Sequence, residues 1–408
     1  MKLTALKVGG TVEPGFEQVQ EEFERNFLER KEVGAACAAM VDGKLVVDLW
    51  AGLANPKTKH PWESDTVVNV FSTSKGMASM AILHAASAGL FGFDDRVAEH
   101  WPEFSADGKE DVTVRQLLAH QAGLCAIDQK LTAETLADPD KMAVALAAQT
   151  PAWEPGTQHG YHGISLGWYE SELIRRTDPD RRTIGRYFDE EIAKPLGLDF
   201  WIGLPESVPE ARIARVLGDW YRVRMLVNMS KLPRAFVKAF LNPRSLTART
   251  FANPAMLGKP ARYNDAAMRR LELPASNGHG TARAIATAYG EFATGGDWLG
   301  ITDAVMSDVS AAATDPDEGR FDVVLQSETR FSLGYCKPWD GFEFGTPAAF
   351  GTPGAGGSLG FADPGRRLGF AYVMNRMDYY VLNDPREEAL RNAVIACAEQ
   401  RAGASGPK

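Results

Sequence analysis

The segment FSTSK, residues 71–75, holds a serine and a lysine three positions apart. The small and apolar run AILHAASAGL follows at 81–90 and predicts a helix, so the Ser72 hydroxyl and the Lys75 amine would lie on one face of its first turn. A cation is unfavourable at the positive end of a helix dipole, which indicates a chemical reason for the lysine. The pair therefore predicts a serine nucleophile beside a basic lysine.

A second group can assist this pair. Lys75 can act as a base near neutral pH only if its pKa falls from about 10.4, and burial or neighbouring charge would lower it. Tyr161 lies in the segment WEPGTQHGYH, residues 153–162, on a loop made tight by a Pro-Gly turn. It is therefore a candidate base or proton shuttle, and its structural alternative is an aromatic ring that packs against Trp153 or Trp168.

Two other serines lie in Gly-x-Ser-x-Gly, the nucleophile-elbow pattern, as GISLG and GGSLG. The elbow requires a buried strand before the serine, and an acid and a histidine later in the chain. No histidine follows Ser358. Ser165 is followed by His279, but the segment YHG before it is not a buried strand. Both serines are predicted to be structural, with Ser165 kept as the alternative nucleophile.

The remaining motifs have ordinary structural interpretations. A second Ser-x-x-Lys at residues 405–408 contains Gly and Pro in the C-terminal tail. Ser72 itself could be a plain helix N-cap, a position that serine favours. His159 and His162 are spaced like metal ligands, but no clear third ligand accompanies them. No metal and no cofactor is predicted.

Composition limits the classes of protein to consider. The chain has 408 residues, 24% of them charged, and a formal net charge of -9 with dispersed basic residues, which argues against nucleic-acid binding. The sequence contains no apolar run of about 20 residues that could span a membrane, and the N-terminus lacks a signal-peptide pattern. The four cysteines form no CxxC pair. We expect a cytoplasmic protein whose partner is a small-molecule substrate, not a nucleic acid or a membrane.

The secondary structure that must position these side chains can be outlined from periodicity. Residues 15–31 predict a helix, and a hairpin is expected around Asp42 and Gly43. Mainly helical segments fill 90–275. Strands are expected in the segments FDVVLQ with RFSLGYCKPW, FGTPGAGGSLGFADP and RLGFAYVMNR, and a final helix at about 384–402.

This order of elements predicts an α+β fold. An antiparallel sheet would be built from both ends of the chain and flanked by the N- and C-terminal helices. The expected sheet domain is discontinuous, residues 1–75 and 276–408, and a mainly helical domain is inserted at 76–275. Within it, the stretch at about 218–275 has no clear period and is interpreted as a lid or pocket wall.

Several motifs occur together in one order: FSTSK, VTVRQLLAHQAGL, WEPGTQHGYH, SNGHGTAR and FGTPGAGGSLGFADP. In this order they resemble the serine β-lactamase and penicillin-binding-protein superfamily, and the chain is most similar to its family VIII carboxylesterases. The resemblance covers roughly residues 15–400 and leaves 218–275 poorly matched. It implies the β-lactamase/DD-peptidase-like fold and hydrolysis of short-chain carboxylic esters.

The resemblance also implies roles for individual residues. Ser72 corresponds to the nucleophile that is acylated, Lys75 to its partner one turn on, and Tyr161 to the tyrosine of the second motif. Whether Lys75 or Tyr161 takes the proton stays open. A Lys75 cation near Tyr161 would lower the pKa of the phenol from about 10.

The third motif departs from the family pattern. Where the family has Lys-Thr-Gly, His-x-Gly or Trp-x-Gly, this chain has Thr352, Pro353 and Gly354. A neutral hydroxyl cannot hold a substrate carboxylate as a basic side chain would, so neutral esters are favoured over β-lactams. Thr352, Gly354 and Gly356 are expected to bind substrate. The backbone N–H groups of Ser72 and Ala355 are expected to form the oxyanion hole.

The prediction is therefore a serine esterase that forms an acyl-enzyme. The same site could instead act as a β-lactamase, an amide hydrolase or an acyltransferase. The alternative of another class is an inactive acyl-binding or sensor domain.

Overall fold

The computed structural model describes residues 6–218 and 233–404. Its strands, in chain order, are β1 (Val8–Val12), β2 (Gly34–Val41), β3 (Lys44–Asn55), β4 (His60–Pro61), β5 (Val68–Asn69), β6 (Phe200–Ile202), β7 (Gly278–Gly280), β8 (Phe321–Asp322), β9 (Ser327–Glu328), β10 (Phe331–Ser332), β11 (Tyr335–Cys336), β12 (Phe350–Pro353), β13 (Leu359–Asp363) and β14 (Leu368–Met374).

Most α-helices of the described ranges lie in the middle of the chain. They are α1 (Glu17–Leu28), α2 (Thr73–Ser87), α3 (Val97–His100), α4 (Val114–Leu118), α5 (Ala133–Ala137), α6 (Pro139–Ala147), α7 (Leu166–Thr177), α8 (Ile184–Phe188), α9 (Lys194–Leu196), α10 (Arg234–Leu241), α11 (Leu246–Ala252), α12 (Ala266–Arg270), α13 (Ala282–Ala293), α14 (Asp303–Ser310) and α15 (Pro385–Ala404).

The main sheet joins the two ends of the chain. Its strand order is β1-β3-β2-β14-β13-β12-β11-β10, with β4 paired to β3, and every pairing is antiparallel. The junction is the β2–β14 ladder, in which Ala38 lies opposite Ala371. The predicted α+β fold with an antiparallel sheet built from both chain ends is confirmed.

Each face of the sheet packs against different helices because side chains alternate along a strand. On β2, Cys37 and Ala39 belong to the core cluster that holds the aromatic rings of α1 and the apolar residues of α15. Ala36 and Ala38 belong to the cluster that holds α2 and α13. The small residues on both faces let helices approach the sheet closely.

Helix α2 is buried on almost all sides. The residues Thr73 to Leu83 are all buried, and a helix that is apolar all round is an interior helix. It packs between the sheet and the helices of the middle segment, within the largest hydrophobic cluster. Its N-terminus is therefore held rigidly at the boundary between these two parts of the molecule.

The structure differs from the sequence prediction at a few elements. The segment FDVVLQ is a strand only at Phe321 and Asp322, because the Asp322 carboxylate accepts the N–H groups of Val324 and Leu325 and turns the chain. Strand β1 and the small sheet β5-β7-β6 are not predicted from the sequence. The Ser-x-x-Lys motif at 405–408 and part of the 218–275 stretch lie outside the described residues.

Two further observations concern the chain as a whole. All four cysteines are buried, and none forms a disulfide. None of the helices in the described ranges combines the length and apolarity that a membrane crossing requires.

Candidate active site

The nucleophile candidate stands where the chain enters α2. Phe71, directly before it, has a φ of 49°, a conformation that bulky residues rarely adopt and that is typical of functional turns. Ser72 is the N-cap residue of α2, but its side chain makes no capping hydrogen bond. The plain N-cap interpretation therefore fails for the hydroxyl, which instead faces Lys75.

The Lys75 amine makes three contacts in a buried position. Its Nζ lies 3.2 Å from the Ser72 Oγ, 2.7 Å from the Gly163 carbonyl and 2.9 Å from the Ala275 carbonyl. A carbonyl oxygen can accept a hydrogen bond but cannot donate one. Each of these two carbonyls therefore takes one N–H group of the amine, and together they fix its orientation. A neutral amine has two N–H groups and one lone pair, and this arrangement leaves the lone pair to face the serine hydroxyl.

Burial also changes the proton affinity of this amine. Desolvation lowers the pKa of Lys75 to about 7, although the neighbouring Glu170 and Cys336 act in the raising direction. A substantial fraction of Lys75 is therefore neutral at neutral pH. The sequence places a lysine in the first turn of a helix, where a cation is unfavourable. An amine that is in part neutral reduces this conflict.

The loop that carries Tyr161 is fixed through its backbone. The Tyr161 N–H donates to the carboxylate of Asp322, 3.1 Å from Oδ2. The next N–H, of His162, donates to the His120 Nδ1 at 3.0 Å. The His162 ring in turn accepts the Leu124 N–H at 3.0 Å. These bonds hold the phenol at the cavity with the Lys75 Nζ 4.8 Å from its ring centroid.

The net shift of the Tyr161 pKa is opposite to the one expected from a nearby Lys75 cation. Burial raises the pKa of the Tyr161 phenol far above its ordinary value, and the nearby Ser72 hydroxyl offsets this only in part. Near neutral pH Tyr161 is therefore a neutral phenol, whereas part of the Lys75 amine is unprotonated.

Strand β12 brings the third motif against α2. The approach is close because residue 76 is glycine: a Cβ there would lie 2.9 Å from the Thr352 Oγ1 and 2.0 Å from the Tyr289 hydroxyl. Thr352 is buried, and its hydroxyl has no hydrogen-bond partner of good geometry within the described ranges. Thr352 lines the cavity, and its contact with substrate stays a prediction.

The turn after β12 holds the predicted oxyanion-hole residue. Gly354 and Ala355 line the same cavity as Ser72. Gly356 is not among the residues that line this cavity, and its contact with substrate stays a prediction. Its carbonyl accepts a 2.6 Å hydrogen bond from the Arg386 guanidinium, so this residue ties the turn to the protein interior.

The cavity at Ser72 has a volume of about 240 Å³. Seven of its wall residues come from the stretch at 218–275, which the sequence leaves without clear elements. Lys75 is the one Lys or Arg among the lining residues that the structure describes. The large side chains among these seven residues are Phe236, Phe240, Phe251, Leu257 and Tyr263.

The competing serine and histidine motifs are occupied elsewhere. Ser165 is buried and donates to the Leu124 carbonyl at 2.7 Å, outside the cavity. The His159 Nε2 lies 3.1 Å from the Thr329 hydroxyl, whereas the His162 Nδ1 lies 2.7 Å from the Gly160 carbonyl. The described residues contain no group of three or more side chains that could hold a metal ion.

Several residues at the site carry no sequence signal. Asp322 and Gly76 act through backbone and packing contacts that involve distant parts of the chain. Glu170 lies behind Lys75 on α7 and has the appearance of an ordinary helix glutamate in the sequence. The sequence could have drawn attention to Glu170 as a carboxylate close to a predicted apolar face. That Lys75 is its neighbour is known only from the fold.

Comparison with known proteins agrees with this geometry. Residues 20–394 match the family model described as beta-lactamase, and the chain belongs to the beta-lactamase family. The resemblance to the β-lactamase and penicillin-binding-protein superfamily is thereby confirmed.

Similar proteins and a similar solved structure indicate the class of enzyme within this family. Esterase/beta-lactamase LipL of Mycobacterium tuberculosis is 34% identical over 377 residues, covering 91% of this chain and 83% of the relative. Esterase EstB of Burkholderia gladioli is 25% identical over 415 residues, 92% of this chain and 93% of the relative. A solved family VIII carboxylesterase is 36% identical with a TM-score of 0.82, covering 96% of this chain and 100% of that one. The predicted class, a hydrolase of the β-lactamase fold with esterases among its relatives, is confirmed.

Proposed function

We propose that this protein hydrolyses neutral carboxylic esters through an acyl-enzyme on Ser72. The observation that carries the proposal is the contact of 3.2 Å between the Lys75 Nζ and the Ser72 Oγ. Two curated relatives are named esterases, and a similar solved structure is a family VIII carboxylesterase. A serine hydroxyl needs an adjacent base to attack a carbonyl carbon, and Lys75 fits that role.

Acylation begins with transfer of the Ser72 proton to the Lys75 lone pair. The pKa of about 7 favours a neutral amine at neutral pH, and the carbonyls of Gly163 and Ala275 hold its N–H groups away from the serine. The Ser72 oxygen then bonds to the ester carbon. Lys75 becomes an ammonium that can donate to both carbonyls and to the serine oxygen.

The tetrahedral intermediate carries its negative charge on the former carbonyl oxygen. The N–H groups of Ser72 and Ala355 would stabilise this charge, which is usually the largest contribution to acyl-transfer catalysis. The intermediate collapses by breaking the bond to the alcohol oxygen. Tyr161 donates its phenolic proton to the departing alkoxide and regains a proton from the Lys75 ammonium, so the amine is again neutral.

Deacylation repeats the sequence with water as the nucleophile. Neutral Lys75, through the Tyr161 hydroxyl, takes a proton from water as it attacks the acyl carbon. The acid leaves as the Ser72 oxygen regains a proton by the same route. Each residue thus ends the cycle in the protonation state in which it began.

The cavity wall supports a preference for neutral, short substrates. Lys75 is committed to Ser72, so no described lining cation remains for a substrate carboxylate. A volume of about 240 Å³ is slightly below the ~300–1,000 Å³ typical of small-molecule sites. Short-chain esters fit this cavity better than β-lactams or long acyl chains.

The test compares Ser72→Ala with Ser165→Ala, using a short-chain p-nitrophenyl ester and a chromogenic cephalosporin. We expect Ser72→Ala to lose ester hydrolysis, Ser165→Ala to retain it, and the wild-type protein to prefer the ester strongly. Mass spectrometry of the protein trapped by a fluorophosphonate should locate the adduct on Ser72. An adduct on Ser165, or full activity without the Ser72 hydroxyl, would refute the proposal.

A further inference from the structure

A buried glutamate stands behind the lysine and has no evident structural purpose. Glu170 lies on α7 and is fully buried. Its Oε1 accepts a hydrogen bond of 2.9 Å from the Ser79 hydroxyl. Its Oε2 has no hydrogen-bond partner among the residues that the structure describes. A carboxyl that is buried and only half satisfied is costly, so its retention calls for an explanation.

The surroundings of Glu170 connect it to Lys75. Ser79, which holds the carboxyl, is one helical turn beyond Lys75 on the same face of α2. The wall at this point is thin: a Cβ on Gly334 would lie 2.0 Å from the Ser79 Oγ and 3.1 Å from the Glu170 Oε1, and Gly334 lines the cavity. The carboxyl therefore lies just behind the reaction cavity.

The electrostatic influence between the two groups is mutual. Burial is the largest influence on each: it lowers the pKa of Lys75 to about 7 and raises that of Glu170 to about 7. Glu170 counteracts the shift of Lys75, and Lys75 counteracts the shift of Glu170. In a dry interior such a pair interacts more strongly than it would in water.

We propose that Glu170 is a positioning residue that acts through Lys75: its carboxylate, held by Ser79, stabilises the ammonium that forms when Lys75 takes the Ser72 proton. This inference rests on the proposed function of Lys75 as the base. Glu170 forms no bond to substrate and gives up no proton in the step. The proton moves from the Ser72 Oγ to the Lys75 Nζ, and the carboxylate supplies a compensating charge.

Other titratable groups around the pair do not interfere near neutral pH. Burial raises the pKa values of the phenols and of the thiol, that of Cys336 to about 12, and it lowers that of His120 well below its ordinary range. The buried Asp322 carboxyl also has a raised pKa, but it faces the backbone of the Tyr161 loop. The groups concerned are His120, Tyr161, Tyr289, Asp322, Tyr335 and Cys336.

The test is the pH dependence of Ser72 phosphonylation by a fluorophosphonate, measured together with kcat/KM for a p-nitrophenyl ester. Only neutral Lys75 can act as the base, so activity rises with pH through the pKa of Lys75. Glu170→Gln removes a charge that raises this pKa, and we expect the midpoint to move down by about one pH unit. Glu170→Asp, which keeps the charge, should restore part of the shift.

Glu172→Gln is the matched control. Glu172 is also buried on α7, but it pairs with Arg175 and Arg176 and does not line the reaction cavity. Its loss should lower the melting temperature without moving the midpoint. If Glu170→Gln does not fold, Ser79→Ala provides the same test, because it removes the bond that favours the charged carboxylate.

The outcomes separate the two proposals. A midpoint that stays unchanged in a folded Glu170→Gln, or in Ser79→Ala where that variant stands in, overturns the role of Glu170 while Ser72 is still labelled. If Ser72 is not the labelled residue in the wild-type protein, the proposed function itself fails. A structural role alone would change the melting temperature and leave the midpoint in place.

Discussion

The Thr73 hydroxyl donates a hydrogen bond of 3.0 Å to the Ser358 hydroxyl. Ser358 in turn donates to the Val70 carbonyl at 2.8 Å. The serine of the second elbow-like pentapeptide therefore joins the turn after β12 to the two residues that flank the start of α2. We expect this link to help fix the distance between the N–H groups of Ser72 and Ala355 that the proposed oxyanion hole requires.

Removing this link should reduce the rate without abolishing the chemistry. We expect Ser358→Ala to lower kcat by roughly tenfold, because each lost hydrogen bond contributes on the order of 1 kcal/mol. Steady-state kinetics with a p-nitrophenyl ester would measure the loss. Labelling of Ser72 by a fluorophosphonate should persist in this variant. Inactivity as complete as that of Ser72→Ala would contradict the supporting role.

The pH profile should report Lys75. Because burial lowers the pKa of this amine to about 7, and because only the neutral amine accepts a proton, kcat/KM should rise with pH around 7 and then level off. Tyr161 must stay protonated, and burial raises its pKa, so no decline from the phenol is expected below about pH 10. A profile that is flat from pH 5 to 9 would exclude Lys75 as the base.

The aromatic wall should set the limit on acyl-chain length. Phe240 lines the cavity and contacts the rings of Phe236 and Phe251. Phe240→Ala removes part of this wall, and we expect the ratio of kcat/KM for an eight-carbon ester to that for a two-carbon ester to increase several-fold.

Leu241 provides the control for this prediction. It is the next residue on α10, is 58% exposed and does not line the cavity. Leu241→Ala should leave the chain-length ratio unchanged. Equal changes in both variants would point to loosening of the helix rather than to a wider cavity.

Arg386 should be important for stability. Its buried guanidinium bonds to Glu32 at 2.8 Å, to Asp384 at 2.7 Å and to the Gly356 carbonyl at 2.6 Å. Arg386→Leu would leave two buried carboxylates without their cation, and we expect the free energy of unfolding to fall by about 3–5 kcal/mol. Denaturant titration would measure this change.

A surface pair offers the comparison. Arg25 is half exposed and pairs with Glu22, which keeps Arg30 as a second partner. Arg25→Leu should change the free energy of unfolding by less than about 1 kcal/mol. A similar loss in both variants would show that burial does not govern the strength of these pairs.

Local pattern was sufficient for much of the fold. Apolar spacing predicted α1, and the Asp42-Gly43 signal predicted the hairpin of β2 and β3. The same reasoning missed β1, an edge strand with two exposed residues and little periodicity. The sequence prediction also made β8 too long. The Asp322 carboxylate accepts the next backbone N–H groups and turns the chain, so these groups cannot join the strand ladder.

By itself, the sequence determined which residues to suspect: Ser72, Lys75 and Tyr161 carry signals in residue type, spacing and motif order that survive without coordinates. Only the tertiary structure decided their protonation, because a pKa depends on burial and on neighbours such as Glu170 that are distant in sequence. It also showed that Ser358 bonds to Thr73 and Val70 at the start of α2. Spacing along the chain is a local property, whereas desolvation and side-chain direction arise when segments far apart in sequence pack together.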